Sequence, residues 1–274
     1  MQKELLVGKV SGEAKRQYFE KIKAHKTTVD QILQREKNLL QIVENDDQGK
    51  GFKILRLADE TLNLVSYYVL MNNLSMSLLG VRNDALLNDA RKACYKAIIH
   101  LEEVVTAYLD VPYSDYAEQL EEIASYDDGN RWFMVRKLGY AIDAVKDGFG
   151  KNSKWKWSFV EIEGRFATVA KNLLDLKNFV SKMDPRIEGY ESRVLHLEMI
   201  KTLLKKSADG YRQKYELSTG RIDDFKVAIQ YLGALKRLFV LLGNTNEADS
   251  IKKKLEIWKA KMETDQKKQE KAGR

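Results

Sequence analysis

Few residues in this chain are of types that carry reaction chemistry, and their spacing argues against it. Three histidines (His25, His100, His196) and one cysteine, Cys94, are spread over 274 residues. A zinc-protease helix needs two histidines four apart with a glutamate beside the first, and no two of these come near that spacing. A di-iron bundle needs Glu-x-x-His twice, whereas the residues three before each histidine are Ile22, Ala97 and Arg193. His25 falls in an apolar helical seam and reads as a buried or edge residue; His100 and His196 read as partly exposed helix residues. Cys94 lies on an apolar helical face, where a thiol acts as a small hydrophobe. A single cysteine excludes an intramolecular disulfide framework and a cysteine-rich zinc site. Gly148, Gly150 and Lys151 make a basic glycine loop, but no strand precedes it and the third glycine of a phosphate cradle is missing. Asp127, Asp128, Gly129 and Asn130 lack the alternating ligands of a calcium loop and read as a turn. No catalytic residue, cofactor or metal is expected.

Side chains suited to holding another protein are better represented. Trp132, Phe133, Tyr140, Phe149, Trp155, Trp157, Phe159 and Phe166 lie within 35 residues. Trp155 and Trp157 are two apart, so on a helix they point about 200° from one another, and one ring enters the core while the other is displayed. Displayed tryptophan suits a binding hot spot; a small internal core where helices meet is the competing reading. Charge is polarised as well. Between Lys96 and Arg131 there is no Lys or Arg, while nine acids fall there, Glu118, Glu121 and Glu122 among them. Residues 251–274 carry nine Lys/Arg against four acids, so the tail supplies +5 of a net +7. Its lysines, Lys252, Lys253 and Lys254 foremost, alternate with Glu256, Glu263 and Glu270, and Trp258 is the one ring there able to stack on a base. That reads as a solvated helix or a contact for an acidic protein surface rather than as a nucleic-acid site. Opposite charge blocks favour head-to-tail association. The candidate partner-binding residues are therefore Trp132, Phe149, Trp155, Trp157, Glu118, Glu121, Glu122, Lys252, Lys253, Lys254 and Trp258.

These residues must be positioned by helices. Proline, which breaks helix interiors, occurs only at Pro112 and Pro185. Tyr18, Ile22, His25, Val29, Ile32, Glu36, Leu39 and Val43 step by alternating fours and threes, a heptad seam with two polar interruptions. It predicts a helix over 13–44, about 48 Å long at about 1.5 Å per residue. Further helices are expected over 52–79, 83–110, 115–126 (with Asp115 and Glu118 as a capping box) and 131–145. The remainder are expected from the 148–153 loop to 183, over 187–215, 223–242 and 245–269. Residues 61–81 carry no charge, long enough to cross a bilayer, but Asn63, Ser66, Asn72, Asn73, Ser75 and Ser77 make a buried bundle helix the better reading. Leu78-Leu79-Gly80 and Leu241-Leu242-Gly243 open two similar turns, L-L-G-x-x-N-[D/E]-A, each expected to join antiparallel helices through a left-handed glycine. The turn resembles that of a tetratricopeptide repeat, although the surrounding spacing is longer. Nothing alternates with a period of two long enough to make a strand.

Residues 139–150, followed by Trp155-Lys156-Trp157-Ser158-Phe159, resemble the flagellar-coiling sheath proteins of spirochetes. The resemblance implies a periplasmic protein that coats the flagellar filament and contributes to its curvature, with flagellar sheath or core subunits, and further copies of itself, as partners. Residues 1–10 contain no apolar run of signal-peptide length, so the protein is expected in the periplasm if this is a mature chain and in the cytoplasm otherwise. The expected architecture is all-α, an elongated bundle of long antiparallel helices in two arms forming a V. Residues 1–110 make the N-terminal arm, 111–153 an acidic and aromatic junction, and 154–274 a C-terminal arm with a basic terminal helix. A cytosolic tetratricopeptide-like adaptor, binding a peptide or helix, is the alternative; an enzyme or ligand carrier with a site inside the bundle is the third class. Reversing Lys252, Lys253 and Lys254 to glutamate is expected to weaken self-assembly at low salt, measured by sedimentation, and unchanged association would remove the charge-block idea.

Overall fold

The computed structural model describes residues 11–179 and 181–272. The leader reading falls on residues 1–10, outside them. Among the described residues the chain is all-α, without strands: α1 (Gly12–Asn45), α2 (Lys50–Leu79), α3 (Asp84–Val104), a 3-10 turn (Tyr113–Asp115), α4 (Ala117–Glu122), α5 (Asp128–Phe149), α6 (Lys156–Leu173), α7 (Leu176–Phe179), α8 (Tyr190–Lys214), a π turn (Tyr215–Thr219), α9 (Ile222–Leu241) and α10 (Thr245–Ala272). Three helices, α1, α3 and α5, start after side-chain oxygens that accept the orphan amides of a first turn. Ser11 accepts from the amide of Ala14, Asn83 from Leu86 and Asp127 from Asn130. The two similar turns are both tight hairpins on left-handed glycines, Gly80 at φ 66° and Gly243 at φ 71°.

Helix α1 packs on α2 and α2 on α3; α8 packs on α9 and α9 on α10. Helices α5 and α6 join these groups, α5 touching α2, α3, α6 and α8, and α6 touching α3 and α8. One contiguous core runs from Tyr18 to Trp258. The α1 seam is buried at Tyr18, Ile22, Val29, Ile32 and Glu36. Its polar interruptions are matched: His25 lies 5.9 Å from the Tyr67 ring, while Glu36 accepts from Thr61 Oγ1 at 2.8 Å and pairs with Lys96 at 2.7 Å. Glu60 on α2 pairs with Arg35 of α1 and Arg56; Glu102 on α3 pairs with Arg165 of α6. Glu163 on α6 pairs with Lys146 of α5 at 2.5 Å and Lys206 of α8 at 3.1 Å. Each buried carboxylate thus ties helices at one register, which matters more for specificity than for net stability. The exposed surface, 16041 Å2, exceeds the roughly 12,000 Å2 of a compact monomer of this mass. No described helix is long and apolar enough to cross a membrane.

Several boundaries differ from expectation. Helix α3 stops at Val104, not 110, where Val104, Val105 and Thr106 place three β-branched residues of low helix propensity in succession. Asp115 does not cap: α4 starts after Tyr116 without a side-chain cap. Helix α5 begins at Asp128 and continues through Gly148 to Phe149, because Gly148 lets α5 approach Leu87 of α3, and the turn comes at Gly150, φ 78°. The predicted helix to 183 breaks after Leu173, whose carbonyl accepts from Arg131 of α5. His100 and His196 are buried rather than partly exposed. Cys94 is buried, and burial pushes its thiol to about 12, in keeping with an inert hydrophobe.

Gly164 of α6 faces Tyr211 of α8 and Tyr231 of α9, whose rings stack at 5.7 Å. A Cβ there would come within 2.8 Å of the Tyr211 ring and 2.9 Å of the Tyr231 hydroxyl. Gly164→Ala is therefore expected to lower stability by about 1–3 kcal/mol in urea unfolding. A gain of about 1 kcal/mol, the usual outcome in an exposed helix, would show that the tyrosine pair yields.

Candidate interaction surface

Helix α5 carries two heptad seams. One seam, Arg131, Val135, Leu138, Ile142, Val145 and Phe149, is buried against the helices around it. The other, Phe133, Arg136, Tyr140, Asp143 and Asp147, faces solvent. Phe133 is 51 % exposed and Tyr140 68 %. The Arg136 guanidinium lies 5.8 Å from the Phe133 ring and 6.0 Å from the Trp132 ring, where the ring faces attract a cation. Neither Arg136 nor Asp143 forms an ion pair with a described residue.

A groove flanks this ridge on each side. Towards α6 and α8 a cavity of about 420 Å3 has an apolar wall of Trp132, Ile142, Phe166, Met199 and Leu203, with Glu163, Glu198 and Lys206 also lining it. Towards α2 a cavity of about 470 Å3 is walled by Leu62, Val65, Ser66 and Val69, part of the uncharged stretch 61–81, with Ala141 and Ala144 opposite. Lys137 on that side is held by Asp59 at 2.5 Å and Asn63 at 2.9 Å. Apolar grooves beside displayed aromatic rings suit docking of another helix.

The buried end of α5 sets the ridge in place. Arg131 donates to the carbonyls of Tyr126, Leu173 and Ile123. Arg193 of α8 pairs with Asp128 at 2.6 Å and donates to the carbonyls of Lys182, Ile187 and Glu188. Asn172 donates to the carbonyls of Thr106 and Tyr108. His196 lies 6.2 Å from the Trp132 ring and bonds the Ala170 carbonyl through Nε2 at 2.9 Å.

The residues singled out from sequence do not form one site. Trp132 is half-buried on the α8-side groove. Trp155 and Trp157 are both half-buried against the core, with the Arg91 guanidinium 4.1 Å over Trp155 and the Lys156 amine 4.7 Å over Trp157. The choice between one inward and one displayed ring is thus replaced by two partly covered ones. Phe149 and Trp258, 3 % and 2 % exposed, are corrected from docking rings to core residues. Phe149 packs on Phe159, and Trp258 on Phe225 beneath Arg212. Glu118, Glu121 and Glu122 are exposed on α4, and Lys252 and Lys253 on α10. Lys254 is paired to Asp209 at 2.9 Å. Phe133 and Tyr140 belonged to the aromatic cluster, yet their common exposed seam with Arg136 and Asp143 was missed; the signal was their i, i+3, i+7, i+10 spacing. No group of metal-ligating side chains occurs among the described residues.

Burial disfavours the charged form of His196 and lowers its pKa from 6.5 to about 4; nearby Arg131 acts in the same direction, while the Ala170 bond and Asp128 oppose it. Between pH 6.5 and 4 the unfolded chain takes up a proton that the native chain refuses, so stability falls as pH falls through this window. The loss amounts to about 3 kcal/mol. His196→Gln is expected to remove about one proton from the slope of unfolding free energy against pH in that window, and an unchanged slope would show that His196 does not titrate there.

No curated protein and no solved structure matches this chain. The sequence model of the TP0443 family matches residues 14–266, nearly the whole described structure, and the chain belongs to the TP0443 family.

Proposed function

We propose that this protein is a non-catalytic assembly subunit, a sheath component that coats a periplasmic flagellar filament and contributes to its curvature. The observation that carries the reading is the solvent-facing seam of α5, an aromatic and guanidinium ridge between two apolar grooves. Aromatic and arginine side chains are those over-represented in protein–protein hot spots. Membership of a Treponema-named family supports the spirochete part of the resemblance in residues 139–159. The large exposed surface for the mass supports a subunit that spreads over neighbours.

A tetratricopeptide-like adaptor would use a concave groove lined by successive hairpins. Here the α8-side groove is built where α5, α6 and α8 meet, which favours the subunit reading.

Purified protein is expected to co-sediment with flagellar filaments isolated from a spirochete. Tyr140→Glu, at an exposed position, should leave the helical circular dichroism unchanged and weaken that binding by about tenfold or more. Failure of the unmodified protein to pellet with filaments would overturn the sheath reading.

A further inference from the structure

We propose that the solvent-facing seam of α5 is a homotypic interface, pairing antiparallel with the same seam of a second copy about a two-fold axis near Tyr140. The proposal rests on the reading of that seam as a docking surface and names its occupant.

Charge selects the occupant. About a two-fold axis at Tyr140, positions before it in one copy meet positions after it in the other. Arg136 stands four residues before Tyr140, and Asp143 and Asp147 three and seven after it. The pairing therefore brings Arg136 of each copy to the acidic end of the other, satisfying twice over two exposed charges, Arg136 and Asp143, that have no ionic partner among the described residues. The α2 flank poses no obstacle. The wall contributed by α2 lies in 21 residues without any charge, in a chain where 87 of 274 residues are charged.

Size fits as well. The 22 residues of α5 span about 33 Å. With a groove of about one helix spacing, roughly 9 Å, on each side, the face covers on the order of 600 Å2 before side-chain relief. A stable dimer buries about 800 Å2 per partner, so the ridge and its two grooves supply most of what is needed. Phe133 and Tyr140 of one copy are the projections, and the cavities of about 470 and 420 Å3 beside the other ridge are the recesses.

Light scattering coupled to size exclusion, on the full chain at about ten to a hundred micromolar, is expected to give the mass of two chains. Tyr140→Glu should give a monomer with unchanged circular dichroism. Arg136→Asp and Asp143→Arg should each weaken dimerisation about tenfold, and the double variant should return to within about threefold of the original affinity. Only a partner that carries the same exchanged pair can restore binding in this way. A monomeric parent protein, or a double variant no better than the single ones, would overturn the proposal. If the parent is monomeric while Tyr140→Glu still abolishes filament binding, the seam serves a different protein and the sheath reading stands. If filaments are not bound while the charge exchange restores a dimer, the sheath reading alone falls.

Discussion

Every helix that ends inside a core leaves carbonyls without intrahelical partners, and a buried carbonyl without a donor is costly. This fold ends several helices around the N-terminus of α5, and three buried side chains supply the missing donors. Arg131 reaches the last residue of α6, the residue that closes α4 and Tyr126 in one fork. Asn172 serves the chain leaving α3, and Arg193 the chain entering α8. A guanidinium suits this role because its planar donors point in fixed directions. With these side chains in place, the chain leaving α3 and the chain entering α8 can run beside the core outside long helices, and α5 lies among α2, α3, α6 and α8.

Buried carboxylates extend the same logic outward. Glu36, Glu60, Glu102 and Glu163 each accept from cations on neighbouring helices. An apolar seam alone tolerates sliding by a turn, whereas a charge removed from water must meet its partner at one register. The long helices are thereby fixed along their lengths, and the exposed face of α5 becomes a rigid ridge rather than a loop. A surface held this way loses little freedom when another helix docks on it.

Much of the architecture was legible in the residues. The 3.6-residue periodicity, the scarcity of proline and the glycine turns at Gly80 and Gly243 marked the helices and two of their hairpins. The α1 seam, with His25 and Glu36 as interruptions, was visible in full. The candidate site was legible only in part. The aromatic cluster drew attention to 132–166, but hydrophobicity does not distinguish Phe149, which faces inward, from Phe133 and Tyr140, which face outward. A helix with one buried and one exposed seam has aromatic residues on both. The same difficulty placed Trp258 on the surface and His196 at an edge.

The sequence by itself determined the all-α class, the long helices and the absence of any ligand spacing familiar from metal or nucleophilic chemistry, because periodicity and spacing are local properties of the chain. Tertiary structure alone decided where α6 stops, which carboxylates are buried, and which face of α5 meets water. Those depend on donors and neighbours 40 to 70 residues away, such as Arg131 with Leu173 and Arg193 with Asp128. A helix ends where a distant side chain offers its carbonyl a better partner than the next turn does, and that choice is made in three dimensions.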